Sequence, residues 1–404
     1  MKMETAQRAK EKKGGGRRIL ALFLILLNIS ISPMVKVAAV EVKEPKLTSE
    51  AYVLMEGSTG EILCEKNATK QMRPASITKV MTLLLIFEAI ENGKISLTDE
   101  VPVSEHAASM GGSQVYLEPY EKQPVEIMIK CICIASANDA SVAMAEFLAG
   151  SEEGFVARMN ERAAELGMEN THFINCYGLD TEGHYSCALD VAKMSRELIM
   201  KHPQISNYST VWMDTFVHTT SRGQTEFGLT NTNKLIKTYQ GITGLKTGST
   251  GLAKYCLSAT ARRDNMDLIA VVMAAPDTKS RFREAAELLN YGFANYQLYT
   301  FDFAETKLLD VPVKSGVKKE VVLKPAATFS TLFGKDIKKD GVEISFTYEK
   351  NLFAPVEAGT PAGRAIFSYE GRELGGVDLV TAESVQKAKY SDVLFTVWKQ
   401  YFGR

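Results

Sequence analysis

The 404-residue sequence lacks the features that mark several large classes of protein. Its longest apolar run is shorter than the roughly 20 residues that a membrane-spanning helix needs, which excludes a polytopic membrane protein. It contains no internal repeat and no low-complexity segment. Hydrophobic residues make up 45% of the chain and charged residues 24%, as in ordinary globular proteins. The length then predicts two or three folded domains.

An excess of charge of one sign is also missing, since Lys and Arg total 47 and Asp and Glu total 48. The balance hides an asymmetry along the chain. Residues 1–39 carry eight basic and two acidic residues, whereas the remainder carries 39 basic and 46 acidic residues. Because nucleic-acid affinity depends on basic side chains that neutralise phosphates, so acidic a body argues against a nucleic-acid partner.

Metal-binding patterns are absent as well. The five histidines form no His-Glu-x-x-His motif, and the six cysteines are scattered without zinc-type spacing. We therefore expect no metal and no organic cofactor. Cys131 and Cys133 lie in the apolar stretch 127–135, which predicts small core residues rather than ligands.

The first 39 residues follow the three-part pattern of a secretory signal peptide. Lys2 to Arg18 is basic and polar, Ile19 to Ile31 is apolar, and Val37-Ala38-Ala39 is a small-residue cleavage site. The apolar run is about 13 residues, too short for a typical spanning helix. An uncleaved anchor is the alternative, and under either interpretation the chain beyond about residue 40 is exported.

Residues 40–300 mix helix and strand patterns, which predicts a layered α/β domain. The predicted elements are strands at 51–55, 62–64, 254–261 and 267–274, and helices at 76–92, 125–135, 139–148, 155–166 and 281–298. Residues 301–383 have a different character, with apolar residues alternating strictly with polar ones from Val342 to Tyr348. This alternation predicts a separate small β domain.

The last segment, residues 384–404, predicts an amphipathic helix. Its apolar face has spacing of three and four residues and is rich in aromatics, while basic residues lie off that face; the apolar set is Tyr390, Val393, Leu394, Val397, Trp398, Tyr401 and Phe402. The helix is too short and too charged to span a bilayer, and a basic, aromatic-rich face suits the surface of an anionic membrane. A terminal helix docked on the β domain is the alternative.

Ser76-Ile77-Thr78-Lys79 is an S-x-x-K motif that places an amine beside a hydroxyl, because one helical turn separates the two side chains. A serine becomes a good nucleophile when a neighbouring base removes its proton. A lysine can be that base if burial or nearby positive charge lowers its pKa. Ser76 also begins the predicted helix, whose N–H groups could stabilise an oxyanion.

The S-x-x-K pattern is weak on its own, and it recurs at Ser315 in a turn and at Ser384 in a linker, which we discount. Ser76 differs in being followed by Ser136-Ala137-Asn138, at a break between two apolar helices, and by Lys246-Thr247-Gly248, just before the predicted strand at 254. S-x-x-K, a second serine motif and K-T-G are together typical of penicillin-binding proteins and serine β-lactamases. Lys246 near Lys79 would lower the pKa of both amines.

With these motifs the chain resembles the low-molecular-weight penicillin-binding proteins of the D-alanyl-D-alanine carboxypeptidase type, the S11 peptidase family. The resemblance covers about residues 46–385. Besides the three motifs it rests on Pro74-Ala75, Asn138-Asp139-Ala140, Leu166-Gly167-Met168, Thr171-His172-Phe173, Gly178-Leu179 and the stretch from Pro355 to Gly363. It implies an α/β fold in which a serine β-lactamase/transpeptidase-like domain, a sheet flanked by helices, precedes the β domain and the terminal helix.

The resemblance also implies the reaction. Ser76 would attack the carbonyl between two terminal D-alanines of a peptidoglycan stem peptide and become acylated, and β-lactams would acylate the same residue. Lys79 would be the general base. Ser136 would relay a proton to the leaving amine, and Asn138 would hold the substrate amide and the Lys79 side chain.

The substrate-binding roles are implied in the same way. Lys246 would supply positive charge, Thr247 would bind the terminal carboxylate, and Gly248 would let the substrate lie against its strand. Backbone N–H groups of Ser76 and Ser249 would form the oxyanion hole. Arg281 matches the family arginine that helps to bind the carboxylate, a role for which a bidentate donor is suited; a surface position at the start of a helix is the alternative.

Two residues depart from the family pattern: Ala137 stands where many relatives have glycine, and Ser249 where some have a bulkier residue. Two other functions stay open. One is a serine β-lactamase, for which Glu165 and Glu169 are the nearest candidates for a water-activating glutamate. The other is a catalytically silent, penicillin-binding wall module. The expected location is the outer face of the cytoplasmic membrane, with the terminal helix as a peripheral anchor.

Overall fold

A computed structural model of the protein describes residues 44–402, apart from 222 and 336. The predicted signal peptide at 1–39 therefore lies outside the described residues. The helices up to residue 295 are α1 Lys79–Glu91, α2 Glu105–Ala108, α3 Val125–Lys130, α4 Asn138–Ala149, α5 Glu152–Glu165, α6 Ala188–Lys201, α7 Ser206–Ser209, α8 Leu235–Thr238 and α9 Thr278–Asn295. The strands of this part are β1 Ala51–Glu56, β2 Ile62–Lys66, β3 Glu100–Pro102, β4 Lys122–Pro124, β5 Met213–Thr220, β6 Gly223–Thr230, β7 Ile242–Thr250, β8 Lys254–Arg263 and β9 Met266–Ala275.

The central sheet of the larger domain has the order β2-β1-β9-β8-β7 among the described strands, with every neighbouring pair antiparallel. Strand β7 therefore lies at an edge. Alternate side chains enter two different cores, because successive residues of a strand point to opposite faces. Val53 and Val271 pack with α1, α4 and α6, whereas Leu54 and Val272 pack with α9. This is the helix-flanked sheet expected from the sequence.

Helix α1 crosses the larger core and is buried along most of its length, including Val80, Leu84 and Phe87. The predicted helix 76–92 is divided at its start, since Ala75–Thr78 form a tight 3₁₀ turn before α1 begins at Lys79. Such turns are common at helix N-termini. The predicted helix at 125–135 is likewise divided into α3 and a π-helical segment, Cys131–Ala135. Both irregular points lie beside residues of the sequence motifs.

One strand was missed and one predicted boundary was wrong. Lys246-Thr247-Gly248 precedes β8, the strand predicted at 254, but it also lies inside a further strand, β7, which pairs with β8 as a hairpin and whose glycines weaken a local strand pattern. The helix predicted to reach residue 298 ends at Asn295, and Leu298 belongs to a strand that pairs with residue 332. All six cysteines are unpaired and buried, and the core positions predicted for Cys131 and Cys133 are confirmed.

From residue 296 the chain forms short sheets around a third core. The strands are β10 Tyr296–Phe301, β11 Val311–Lys314, β12 Glu320–Val321, β13 Leu323–Pro325, β14 Phe329–Gly334, β15 Val342–Tyr348, β16 Leu352–Phe353, β17 Pro361–Tyr369 and β18 Arg372–Thr381. The alternation predicted from Val342 to Tyr348 is confirmed, because its apolar residues are half-buried against this core and the intervening residues are exposed. Phe329 and Phe367 stack at its centre with ring centroids 3.7 Å apart.

The chain ends in α10, Tyr390–Phe402, as the sequence predicts. Of the apolar side chains that the structure describes on this helix, Leu394 is 52% exposed and Trp398 is 58% exposed. None of the described helices is both long enough and apolar enough to cross a membrane.

A buried carboxylate fastens the segment before β1 to helix α9. Glu284 is 1% exposed and accepts hydrogen bonds from the backbone N–H of Thr48 (3.1 Å) and of Ser49 (3.0 Å), as well as from both hydroxyls. Burial alone would raise the pKa of Glu284, but these hydrogen bonds outweigh it and lower that pKa. The ionised carboxylate therefore stabilises the fold above the ordinary pKa of 4.5, and this contribution is lost as the pH falls through the lowered value.

We expect Glu284→Gln to lower the free energy of unfolding by about 1–3 kcal/mol at neutral pH, because an amide cannot accept all of these hydrogen bonds. The difference from the parent should shrink as the pH falls below 4.5. Thermal melts at a series of pH values would measure it. Glu287→Gln, one turn further along α9 and half-exposed, is the control and should change little. An equal loss at every pH would contradict the prediction.

Candidate active site

The side chains of Ser76 and Lys79 meet at the start of α1. The 3₁₀ turn places Lys79 one turn after Ser76, and the Lys79 Nζ lies 3.1 Å from the Ser76 Oγ. Lys79 is 0% exposed, whereas Ser76 is partly open to solvent. The hydroxyl is thus accessible to a ligand while the amine behind it is sealed in the core.

The Lys79 amine contacts two further oxygens. Its Nζ lies 2.7 Å from Oδ1 of Asn138 and 2.8 Å from the carbonyl oxygen of Tyr177. The Asn138 amide must present its oxygen to the amine, because its Nδ2 donates to the carbonyl of Gly111 at 2.7 Å. A neutral amine has two N–H bonds and one lone pair. With both N–H bonds directed at pure acceptors, the lone pair is directed at the Ser76 hydroxyl.

The surroundings of Lys79 favour the neutral amine. Burial, and next the positive charge of Lys246, lower the pKa of Lys79 well below its ordinary value. Asp139 and Cys176 act in the opposite direction, but more weakly. The Asp139 carboxylate accepts backbone N–H groups of Val115 at 3.0 Å and Leu117 at 3.1 Å, so it secures a loop instead of pairing with the amine.

Ser136 lies where the π-helical segment ends, in a left-handed conformation with φ 61°. This turn separates it from α4, which starts at Asn138, so the two motif residues enter the site from one break in the helices. The Ser136 Oγ is buried and hydrogen bonds to no described protein atom. Ser136 is thus a buried hydroxyl two residues from the amide that contacts Lys79.

Strand β7 supplies the third motif. Lys246 is fully buried, its Nζ donates to the Thr247 carbonyl at 3.1 Å, and burial chiefly lowers the pKa of Lys246 to about 7, assisted by Arg281. The Thr247 hydroxyl lies 2.6 Å from that of Thr232, which precedes the strand. The edge strand β7 therefore has near it two hydroxyl groups and an amine that can be neutral or charged near pH 7.

Gly248 allows β7 to approach the serine turn. A Cβ atom there would lie 2.9 Å from the Ser76 backbone nitrogen and 3.0 Å from that of Ile77, closer than real side chains come. Ser249 follows and is exposed. Because β7 is an edge strand among the described strands, an extended ligand could pair with it along its outer side.

Arg281 lies in the first turn of α9 but is not on the surface, since it is only 7% exposed. Its Nη1 donates to the carbonyl of Gly248 at 3.1 Å and lies 3.4 Å from that of Cys256. The guanidinium carbon is 4.8 Å from the centre of the Phe282 ring. The structure thus places this arginine beside the end of β7, next to the K-T-G motif.

The structure brings all nine predicted site residues to this region and adds three groups that the sequence analysis missed. The missed groups are the carbonyls of Tyr177 and Gly111 and the hydroxyl of Thr232. The first two are backbone atoms, which no residue type identifies, although Tyr177 adjoins Gly178-Leu179, one of the segments on which the resemblance rests. Among the described residues, no group of three or more His, Cys, Asp or Glu side chains is arranged to hold a metal ion.

Comparisons with known proteins agree with this geometry. A family model described as D-alanyl-D-alanine carboxypeptidase matches residues 38–277, and one described as penicillin-binding protein 5, C-terminal domain, matches residues 296–387. The D-alanyl-D-alanine carboxypeptidase DacF of Bacillus subtilis is 41% identical over 377 residues, which cover 93% of this chain and 96% of that protein. DacC of Escherichia coli is 32% identical over 92% of this chain and 94% of its own length.

A solved structure is similar over most of the chain. Penicillin binding protein 5 from Haemophilus influenzae superposes with a TM-score of 0.74 at 30% identity, over 85% of this chain and 99% of that one. These matches confirm the resemblance stated from the motifs and the expected fold class.

The electrostatic coupling between the two buried lysines can be measured directly. We expect Lys246→Met to raise the pKa of Lys79, because the substitution removes a positive charge that disfavours the ammonium while keeping the site apolar. The titration of ¹³C-labelled lysine side chains by NMR would report the shift. Lys70→Met, which removes an exposed charge, is the control. A Lys79 pKa equal in the parent and the Lys246 variant would contradict the coupling.

Proposed function

The chain belongs to the D-alanyl-D-alanine carboxypeptidase family of low-molecular-weight penicillin-binding proteins, and on that premise we propose that it removes the terminal D-alanine from peptidoglycan stem peptides through an acyl-enzyme on Ser76. The observation that carries the proposal is the buried Lys79 amine, 3.1 Å from the Ser76 hydroxyl and with a strongly lowered pKa. Such an amine can accept the serine proton at neutral pH.

In the proposed acylation, the Ser76 Oγ attacks the carbonyl carbon of the penultimate D-alanine as its proton passes to Lys79. Backbone N–H groups of Ser76 and Ser249 stabilise the oxyanion. The peptide C–N bond then breaks, and the departing amine of the last D-alanine receives a proton through Ser136. Water hydrolyses the ester, which releases the shortened peptide and restores Ser76.

The substrate ends in a carboxylate, and the chemistry near β7 suits an anion. The Thr247 and Thr232 hydroxyls lie 2.6 Å apart, and positive charge at the same strand comes from the Arg281 guanidinium and from the ammonium form of Lys246, whose pKa burial lowers to about 7. In this proposal Asn138, which contacts Lys79, also holds the substrate amide. We assign these residues to recognition of the terminal D-alanine.

Neither Glu165 nor Glu169 is positioned as expected for a β-lactamase glutamate that activates water. Glu165 is at the exposed end of α5, where it pairs with Arg162 at 3.0 Å, and Glu169 is exposed after the end of that helix. A glutamate that activates water must lie within hydrogen-bond reach of the acyl-enzyme. This arrangement favours a carboxypeptidase over a β-lactamase.

A release assay tests the proposal. The parent should release D-alanine from a peptide that ends in D-Ala-D-Ala, and Ser76→Ala should reduce the rate by about 1,000-fold or more, because the nucleophile is gone. Ser315→Ala, in the discounted S-x-x-K of the β domain, is the matched control and should keep the parent rate. No release by a folded parent that still binds penicillin would favour the silent wall module.

Benzylpenicillin should form a covalent adduct on Ser76 that persists, because the described site offers no glutamate for fast hydrolysis. Intact-protein mass spectrometry over time would follow the adduct, with Ser76→Ala as the unreactive control. Rapid turnover of the antibiotic by the parent would support the β-lactamase alternative.

We further propose that α10 binds the surface of the cytoplasmic membrane on its outer face. Its exposed aromatic face and the exposed Lys387 and Lys389 that precede it suit an anionic lipid interface. The neighbouring end of the β domain has the same character. Phe353 is 69% exposed, and the Lys314 amine lies 5.7 Å from its ring centre. This part of the β domain is near the start of α10 in the chain path, because Gly316 and Lys387 pair in an antiparallel β-bridge.

A chain without residues 390–404 should lose binding to vesicles that contain anionic phospholipid, because the apolar face is removed, yet should keep its rate on a soluble peptide. Sedimentation with vesicles would measure the binding. In a Trp212→Phe background the fluorescence of Trp398 should shift to the blue when vesicles are added. Unchanged Trp398 fluorescence and equal sedimentation of both chains would exclude this anchor.

A further inference from the structure

We propose that Asn175 is a positioning residue for the reaction, because it holds the Tyr177 carbonyl against the Lys79 amine and thereby directs the amine's lone pair at Ser76. The inference rests on the proposed role of Lys79 as general base. It assigns a function to a buried amide that contacts neither the serine nor the lysine.

Asn175 organises the turn from residue 175 to 179 through four contacts of its side chain. Its Oδ1 accepts the backbone N–H of Gly178 at 2.6 Å and lies 3.3 Å from that of Tyr177. Its Nδ2 donates to the carbonyl of Leu179 at 3.0 Å and lies 3.3 Å from the Thr181 hydroxyl. An asparagine that bonds to nearby backbone in this way sets the path of the chain.

The same turn is fastened to the nucleophile helix from behind. Thr82 donates to the Cys176 carbonyl at 2.5 Å, and Gly178 lies so close to Ala75 that a Cβ atom there would be 1.9 Å from the Ala75 carbonyl oxygen. The Tyr177 carbonyl between these two contacts reaches the Lys79 amine at 2.8 Å. Its place relative to α1 is thus fixed by the internal hydrogen bonds of Asn175 as well as by packing.

The orientation of the amine depends on this carbonyl. If Asn138 alone accepted an N–H bond, the amine could rotate about its terminal C–N bond and direct its second N–H at the Ser76 hydroxyl. The lone pair would then be turned away in part of the population. The rate of proton transfer would fall even at a pH where Lys79 is fully neutral, and substrate binding at β7 would be unaffected.

Asn175→Ala should therefore lower kcat by about tenfold to hundredfold on the alkaline plateau of the pH profile, as expected for a misplaced reacting group, with KM within about twofold of the parent. D-Alanine release per mole of folded enzyme would measure both constants. Asn160→Ala is the matched control. Asn160 exchanges two hydrogen bonds with the backbone of Phe173, at 2.8 and 2.9 Å, so its loss should lower stability but not the plateau.

Asn175→Asp separates positioning from folding. A carboxylate keeps both acceptor contacts, to the N–H groups of Tyr177 and Gly178, but loses the donor contact to the Leu179 carbonyl; stability should therefore fall while the plateau recovers to within about threefold of the parent. The new negative charge should raise the pKa of Lys79, against the lowering by burial and by Lys246 on β7 and in addition to the raising by Asp139 on α4 and Cys176 in the turn. The half-maximal pH of the acid limb should accordingly move upward.

The outcomes distinguish this inference from the proposed function. A parent that releases no D-alanine overturns the proposed function, which is tested first. A parent that is active while the Asn175→Ala and Asn160→Ala plateaus fall equally, or do not fall, overturns the positioning role alone. If Asn175→Ala does not fold, Asn175→Asp decides, because an unchanged half-maximal pH in that variant contradicts the proximity on which the role depends.

Discussion

The site depends on an amine that is kept neutral by being buried without an anionic partner. The contacts of the Lys79 Nζ are a hydroxyl, an amide oxygen and a backbone carbonyl, all of them uncharged. A carboxylate in their place would hold the amine as an ammonium and abolish its use as a base. Asp139, a buried acid whose charge acts on Lys79, accepts backbone N–H groups instead. Removing a charge-bearing group from water is costly, and the large core around α1 offsets that cost.

This constraint explains why the site is assembled from irregular backbone. Ala75 before the serine and Ser136 both have positive φ, and Gly178 packs on backbone where no side chain fits. Residues in sparsely populated conformations persist only when their surroundings fix them, and they cluster at functional sites. Here each irregular point delivers one group to the Lys79 amine or beside it. Regular helices and strands alone would present only side chains, whereas two of the groups that organise this amine and its partner are backbone carbonyls.

The sequence was sufficient to identify the side chains of the site, but not the strand and the backbone groups that position them. S-x-x-K, the Ser136 motif and K-T-G are informative as a set, because each residue type is demanded by the chemistry of its side chain. The strand that carries K-T-G was missed because Gly244 and Gly248 weaken a local strand pattern, although its partner β8 follows after a turn of only three residues. The Tyr177 carbonyl was missed because every residue has a carbonyl. Boundaries such as the end of α9 depend on the pairing of β10 with β14, which lies outside any local window.

The buried cations also connect substrate binding to the state of the base. The pKa of Lys246 is about 7, so near neutrality it is divided between amine and ammonium, and its positive form lowers the pKa of Lys79. If the substrate carboxylate binds beside Lys246 as proposed, the anion favours the ammonium form of Lys246 by direct attraction. Linkage then requires that binding take up a proton at Lys246. The substrate carboxylate on its own would raise the pKa of Lys79. The additional positive charge on Lys246 would lower that pKa and so oppose the rise. With the substrate bound as proposed, Lys246 would screen the base from the substrate's charge, which a permanently charged arginine at this position on β7 could not do by taking up a proton.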